Sequence, residues 1–175
     1  LQLNYAYHVP LNANNTYLSL GLGAKAIYYY LNFEAGELPP GNDPAYNDQS
    51  YENFLGDASS GLYLYNEQFH LGYSVINMLQ SSFNKEEGNG FGRNIQERIY
   101  YGMAGYKFKI DRDWYVEPSF LLRHRENGNH EYNFSTRVFY MDQIWTGLSV
   151  RSNKSLSLFV GTNSNKIQFG YSFDH

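Results

Sequence analysis

The sequence predicts an all-β fold, an antiparallel transmembrane β-barrel with about 10 strands in this chain. Three observations predict this class. Apolar residues alternate with polar or small ones along most of the 175 residues, aromatic residues make up 18% of the chain, and short turns alternate with long connections. Hydrophobic residues reach 42% while the mean hydropathy is only -0.55. The apolar residues are therefore dispersed, and no run of ~18 of them predicts a transmembrane helix.

The first two alternating segments are the clearest. Over Leu1–Val9 the odd positions are apolar or aromatic, and the even positions are Gln, Asn, Ala and His. Over Tyr17–Tyr30 the even positions hold Leu, Ala and Tyr, and the odd ones hold Ser, Gly and Lys as far as Lys25. Such a length exceeds the ~5–6 residues usual in soluble sheets, whereas a barrel strand needs ~9–11 residues to span a bilayer.

Eight further segments alternate with the same period of two. They cover residues 62–65, 69–75, 100–110, 116–123, 132–138, 144–151, 156–160 and 167–174.

The connections have two lengths, as barrels require. Asn66-Glu67, Asp111–Asp113 and Met141-Asp142 are short turns, whereas the connections at about 32–57 and 77–97 are long and rich in Gly, Pro, Asn and charge. Long connections of this composition are typical of surface loops, and short ones of periplasmic turns.

Residues 1–175 are expected to form a single outer-membrane β-barrel domain, incomplete at both ends. The chain opens in a strand without a signal peptide, and with periplasmic turns its tenth strand ends on the outer side. We expect about 14 strands in the complete protein.

Composition excludes several function classes. The net charge of -4 argues against nucleic acid as a partner. Cysteine is absent, which excludes a disulfide framework, a zinc–thiolate site and a cysteine nucleophile.

Charged residues on the faces that alternation assigns to the lumen are mostly cationic. The predicted lumen-facing charges are Lys25, Lys107, Lys109, Glu117, Arg123, Arg137, Arg151 and Asp174. Six cations therefore oppose two carboxylates. One interpretation is a lumen that favours anions. The preferred interpretation is a hydrated interior network completed by acidic residues elsewhere, because small barrels are usually filled by side chains.

Two other patterns have both a chemical and a structural interpretation. The segment 21–26 matches a loose G-x-G-x-x-A fingerprint, but dinucleotide binding needs a strand-to-helix turn, and this segment lies within an alternating strand. His8, His70 and Ser74 face the interior, without the spacing of a nucleophile, base and orienting group. We predict that the segment 21–26 supplies small residues to the lumen face and that His8, His70 and Ser74 pack in the lumen. No catalytic residue is predicted.

Acidic residues in the first long connection could bind calcium through oxygen ligands. Asp43, Asp48, Glu52 and Asp57 do not follow the spacing of an EF-hand loop, so a solvated acidic loop is the preferred interpretation. No metal or cofactor is predicted.

Aromatic residues concentrate toward strand ends. They are Tyr5, Tyr7, Tyr28, Tyr30, Tyr100, Tyr106, Tyr132, Tyr140, Tyr171 and Trp114. Interfacial anchoring of a lipid-facing barrel explains them, and a carbohydrate-binding aromatic platform is the alternative.

Motifs along the whole chain resemble those of one family. Residues 61–75, GLYLYNEQFHLGYSV, are similar to a family hairpin "GVYYYSDRFYVGLSV", and residues 5–11, YAYHVPL, to "YAYRIPL". Residues 18–22, 43–46 and 145–151 resemble "LSFGL", "DPAF" and "LWLGASYR". Residues 105–108 with 117–122 resemble "GYVFKL…KPSFLL", and residues 170–174 resemble "GYAYDF". The family is PorP/SprF, outer-membrane proteins associated with the type IX secretion system of gliding and related bacteria.

The resemblance implies a location in the bacterial outer membrane and a non-enzymatic accessory barrel. Its implied partners are type IX secretion components or the C-terminal domain of a secreted adhesin, together with the lipid bilayer and lipopolysaccharide. Two alternatives stay open. One is a channel for a small, anionic solute, based on the interior cations, and the other is a soluble β-protein that binds polysaccharide.

Overall fold

The computed structural model describes residues 1–11, 15–31, 51–83, 94–164 and 167–174. The strands in these residues are β1 (Gln2–Pro10), β2 (Tyr17–Leu31), β3 (Tyr51–Tyr65), β4 (Phe69–Ile76), β5 (Ser82–Phe83), β6 (Asn94–Ile95), β7 (Ile99–Tyr106), β8 (Phe108–Lys109), β9 (Trp114–Arg125), β10 (His130–Tyr140), β11 (Ile144–Arg151), β12 (Leu156–Asn163) and β13 (Gln168–Asp174). In this part of the chain, no helix is long and apolar enough to cross a bilayer.

One antiparallel sheet contains eleven of the strands in the described residues, in the order β1-β2-β3-β4-β7-β9-β10-β11-β12-β13. The eleventh, β8, prolongs β7 and also pairs with β9. Each strand therefore lies beside the next main strand along the chain, as in an up-and-down barrel. The predicted all-β class and the ten main strands are confirmed, and within the described residues the sheet is open, with β1 and β13 as its edges.

The two ends of the sheet differ. At one end, here called the turn end, short connections join β3 to β4, β10 to β11 and β12 to β13. At the other, the loop end, longer connections join β2 to β3 and β4 to β7. At the turn between β10 and β11, Met141 and Asp142 both have positive φ, 51° and 56°. The Gln143 amide donates to the Tyr140 carbonyl at 3.0 Å, so a tight turn with both central residues in the left-handed region, which suits strand twist, lies within this three-residue connection.

Both long connections contain strand that the sequence did not predict. β3 begins at Tyr51, so the predicted loop at about 32–57 was wrong over its last seven residues. The reason is that Tyr51–Asp57 pair with the C-terminal half of β2, and the mixed polar sequence there hides the alternation. The predicted loop at 77–97 contains the short β5–β6 pair.

The two faces of the sheet have opposite character. The face here called the apolar face carries large side chains that are largely exposed, including Leu3, Tyr5, Leu22, Leu62, Leu71, Tyr73, Phe134, Leu148, Leu158 and Tyr171. The opposite face, the polar face, carries Gly, Ser and charged side chains. Among the described residues only Leu55 and Phe139 are buried and apolar. In soluble proteins the large apolar side chains are buried, whereas here they are exposed, as a sheet with lipid on one side requires.

Aromatic rings lie across glycines of neighbouring strands on the polar face. Trp145 is the register partner of Gly161, and a Cβ atom added to Gly161 would overlap the indole and lie 2.5 Å from the Phe169 carbonyl oxygen. Phe159 covers Gly147 in the same way. Glycine is needed at these positions because the rings occupy the space that a side chain would fill.

We predict that Gly161→Ala destabilises the sheet by about 1–3 kcal/mol, because either the Trp145 ring or the β13 backbone must move. Gly102→Ala is the matched control, since its nearest atom, Cβ of Leu122, would lie 4.0 Å from the added Cβ, and it should change stability by no more than about 0.5 kcal/mol. Urea unfolding in detergent measures both. Equal stability of the two variants would contradict the packing role of Gly161.

Candidate functional site

The eight charged residues predicted to face the lumen all lie on the polar face. Register partners share a face, and residues two apart along a strand also share one. Glu117 pairs with Arg137, Asp174 pairs with Ser157, and Lys25 pairs with Asp57. Successive partners across the sheet connect these pairs. The residues brought to this one face are Lys25, Lys107, Lys109, Glu117, Arg123, Arg137, Arg151 and Asp174.

Glu117 and Arg137 form the most buried ion pair of this face. Nη2 of Arg137 donates to Oε1 of Glu117 at 2.7 Å. The Glu117 residue is only 8% exposed, while the Arg137 side chain is 39% exposed. The guanidinium also lies 5.4 Å from the centre of the Phe139 ring. A buried carboxylate needs such a partner, because desolvation of an unpaired charge is costly.

Two lysines extend this cluster toward the turn end. Lys107 pairs with Asp142 in the turn between β10 and β11. Its Nζ lies 4.6 Å from the centre of the Tyr115 ring and 4.9 Å from that of Phe139. Lys109 Nζ lies 5.8 Å from the Tyr115 centroid. Cations in contact with ring faces are stabilised even where no carboxylate is near.

A second charged cluster lies near the loop end. Nη1 of Arg123 lies 3.1 and 3.2 Å from the two carboxylate oxygens of Glu131, and Nη2 of Arg125 lies 3.8 Å from Oε1. Glu131 therefore has two cationic neighbours. In the described part of the chain, Arg151 makes no ion pair.

Asp57 is held by the backbone instead of by its register partner. One carboxylate oxygen accepts hydrogen bonds from the Ala58 amide at 2.7 Å and the Leu79 amide at 3.1 Å. Asp57 is 6% exposed. In the described residues, neither Lys25 nor any other cationic group lies within 4 Å of its carboxylate. Through its hydrogen bond from the Leu79 amide, this carboxylate fixes the start of the β4–β7 connection beside β3.

The expectation that only Glu117 and Asp174 oppose the six cations was wrong. Asp57 and Glu131 also lie on the polar face, and Asp142 reaches it from a turn. Glu131 directly precedes the alternating segment predicted at 132–138, and extending that segment by one residue would have placed it on the polar face. Asp57 was missed because it was assigned to a loop. The pairing favours the interpretation as an interior network.

Arg98 lies between β6 and β7, outside the main strands, and contacts Tyr100 and Glu126. The Tyr100 hydroxyl accepts a hydrogen bond from the guanidinium at 3.5 Å, and Glu126 lies 3.8 Å away. The hydrogen bond to Tyr100, more than the nearby carboxylate, raises the pKa of Arg98 above its ordinary value.

The remaining chemical patterns do not form a site in the described residues. Residues 21–26 lie within β2, as expected for lumen residues rather than a nucleotide loop. His70 and Ser74 are four residues apart on β4, about 13 Å along the strand, which is beyond hydrogen-bond reach. His8 instead lies 3.2 Å from the Tyr65 hydroxyl.

The acidic residues considered for calcium do not converge. Asp43 and Asp48 lie outside the described residues. Glu52 and Asp57 lie on β3 at an odd separation, so they occupy opposite faces. No group of three or more His, Asp or Glu side chains in metal-binding geometry occurs in the part of the chain that the structure describes.

Comparison with known proteins gives one match. The family described as type IX secretion system membrane protein PorP/SprF matches residues 1–175. No curated protein and no solved structure matches the chain significantly.

We predict that Arg137→Met destabilises the protein by about 2 kcal/mol, because it leaves the Glu117 carboxylate buried without a cation; the figure allows for the exposure of Arg137. Adding Glu117→Leu should restore most of the loss. Lys109→Met is the control, since Lys109 has no carboxylate partner in the described residues, and it should cost no more than about 0.5 kcal/mol. Urea unfolding in detergent gives all three values. A double variant as unstable as Arg137→Met would show that the ion pair is not the cause.

Proposed function

The chain belongs to the PorP/SprF family of type IX secretion system membrane proteins, which are located in the outer membrane, and from this we propose that it is a non-enzymatic accessory barrel. Its loop end binds a secreted surface adhesin or another secretion component. The feature that supports this proposal is the β2–β3 hairpin, in which β3 extends beyond its neighbour β4 at the loop end.

The hairpin is longer than β4, the strand that pairs with β3 on its other side. β2 and β3 each have 15 residues, whereas β4 has 8. Pairing between β3 and β4 ends at Ser60 and Val75. The Met78 amide and the Ser81 hydroxyl still donate to the Ala58 and Gly56 carbonyls, so Tyr51–Leu55 is the part that continues with only β2 beside it in the described residues. Open sheet edges do not occur in contact with lipid hydrocarbon, because their backbone groups would lack partners. The extension therefore stands outside the hydrocarbon layer, among headgroups or in water.

Large aromatic side chains are exposed on this extension. Phe54 is 68% exposed, Tyr28 is 61% exposed and Tyr30 is 53% exposed. Tyr28 and Phe54 are register partners, so they present one continuous surface. Exposed aromatic groups that project from a membrane protein suit a protein contact, since tyrosine and phenylalanine are enriched in interfaces. Anchoring of the hairpin in the headgroup region is the competing use of these rings.

The alternative of an anion channel has less support. Three of the six cations that suggested it are paired with carboxylates: Arg137 with Glu117, Arg123 with Glu131, and Lys107 with Asp142. A network of paired charges fills an interior instead of lining an open path. Conductance of the purified protein in planar bilayers would favour the channel, and a lack of conductance would favour the accessory barrel.

We predict that Tyr28→Ser combined with Phe54→Ser reduces partner recovery about tenfold, because aromatic anchors supply much of an interface's binding energy. The protein is expressed at full length with an affinity tag in its own bacterium, extracted with detergent and captured. Co-purified secretion components and surface adhesins are then quantified by mass spectrometry.

The control is Phe169→Ser with Tyr171→Ser. These residues have the same side-chain types and similar exposure, 66% and 69%, but lie near the turn end. Recovery should be unchanged in this variant. Full recovery in the β2–β3 variant would rule out the hairpin as the contact, and failure of the wild-type protein to recover any secretion component or adhesin would rule out the proposed function itself.

A further inference from the structure

Five rings form a continuous run on the apolar face near the loop end. Tyr100 stacks on His124 with centroids 5.7 Å apart, and His124 stacks on His130 at 4.6 Å. Tyr132 continues the run, 6.4 Å from His130 and 6.1 Å from Phe120. Two imidazoles on an otherwise apolar face need polar surroundings. The run therefore marks the level at which this face leaves the hydrocarbon.

A groove of about 930 Å³ opens beside this run. His130 and Tyr132 form its wall on the apolar face, and Glu131 and Arg151 form its wall on the polar face. Asn129 and Asn153, in the β9–β10 and β11–β12 turns, also line it. The groove thus straddles the rim of the sheet, with aromatic groups on one side and charged groups on the other.

The charge in this groove is not balanced by residues of the described chain. Both carboxylate oxygens of Glu131 are engaged by Arg123, at 3.1 and 3.2 Å, and Arg125 lies 3.8 Å from one of them. Arg151 is exposed and has no carboxylate within 4 Å in the described residues. Its guanidinium, with the amides of Asn129 and Asn153, offers donors to an oxyanion.

We propose that this groove binds the phosphorylated headgroup of a lipid of the outer leaflet. The phosphate lies on Arg151, with His130 and the two asparagine amides as further donors. The acyl chains lie along the exposed apolar residues next to the groove on β10 and β11, where Phe134 and Val150 are register partners, 53% and 48% exposed.

An amphiphile accounts for both halves of the site. A free anion would use only the polar donors and leave the adjoining apolar surface without a role, whereas a lipid places its polar and apolar parts on matching surfaces. The inference uses the membrane location and the outward direction of the loop end. Because lipid binding needs no protein partner, its test does not depend on the result of the partner-capture experiment.

The test titrates the full-length protein in detergent micelles with three probes, and native mass spectrometry counts the bound molecules. The probes are a bisphosphorylated lipid A, the same lipid without phosphates, and inorganic phosphate. We expect the phosphorylated lipid to bind about tenfold more tightly than the lipid without phosphates, as for a charge-assisted contact to arginine.

Arg151→Gln should weaken binding of the phosphorylated lipid about tenfold, and His130→Phe, which keeps the ring stack but removes a donor, about threefold. Arg112→Gln is the matched control, because it removes the same charge from an exposed position at the turn end, and binding should not change.

Three results would overturn the proposal. They are equal binding of the two lipids, unchanged binding in Arg151→Gln, or inorganic phosphate displacing the lipid and occupying the groove alone.

Discussion

The register of the antiparallel ladder decides the chemistry of both faces. Side chains alternate with a period of two, so a shift by one residue between neighbouring strands transfers every side chain of the shifted strand to the opposite face. For β10, such a shift would place Arg137 against lipid, at a cost of about 2–4 kcal/mol near the bilayer midplane. It would also separate Arg137 from Glu117, its partner at 2.7 Å. The correct register thus combines lipid contact, ion pairing and backbone hydrogen bonding in a single arrangement.

Glycines reinforce this register from the polar face. Trp145 lies over Gly161, and its ring also approaches Gly170 on the next strand, where an added Cβ would lie 3.3 Å from the indole. One side chain therefore joins three strands, and it does so only when small residues lie opposite it. The indole Nε1 donates to Oδ1 of Asn163 at 3.1 Å, so the polar atom of the ring is satisfied. A bulky ring on one strand and a glycine on the next fit together only in the correct register, so these pairs help to fix strand pairing.

Alternation in the sequence predicted the strand class, the ten main strands and a common face for the eight charged residues it assigned, because these depend only on local order. Strand ends were less predictable. The first half of β3, Tyr51–Asp57, reads as a loop and becomes a strand because β2 lies beside it. Pairing of charges was not predictable either. Arg123 and Glu131 meet across a hairpin, and Glu117 and Arg137 meet although they are 20 positions apart, so each pair depends on a register that the sequence does not state.

The two surfaces proposed at the loop end can be occupied at the same time. The extended β2–β3 hairpin and the groove beside β10 are separated by β4, β7 and β9. Neighbouring strands lie about 4.8 Å apart, so β3 and β10 are about 19 Å apart along the sheet. A phosphorylated lipid in the groove would contact the rim without covering Phe54 or Tyr28. It would also fix the height of the loop end relative to the membrane surface, and that height determines how far the hairpin reaches. Lipid binding at one side of the sheet would therefore position the aromatic surface available to a partner at the other.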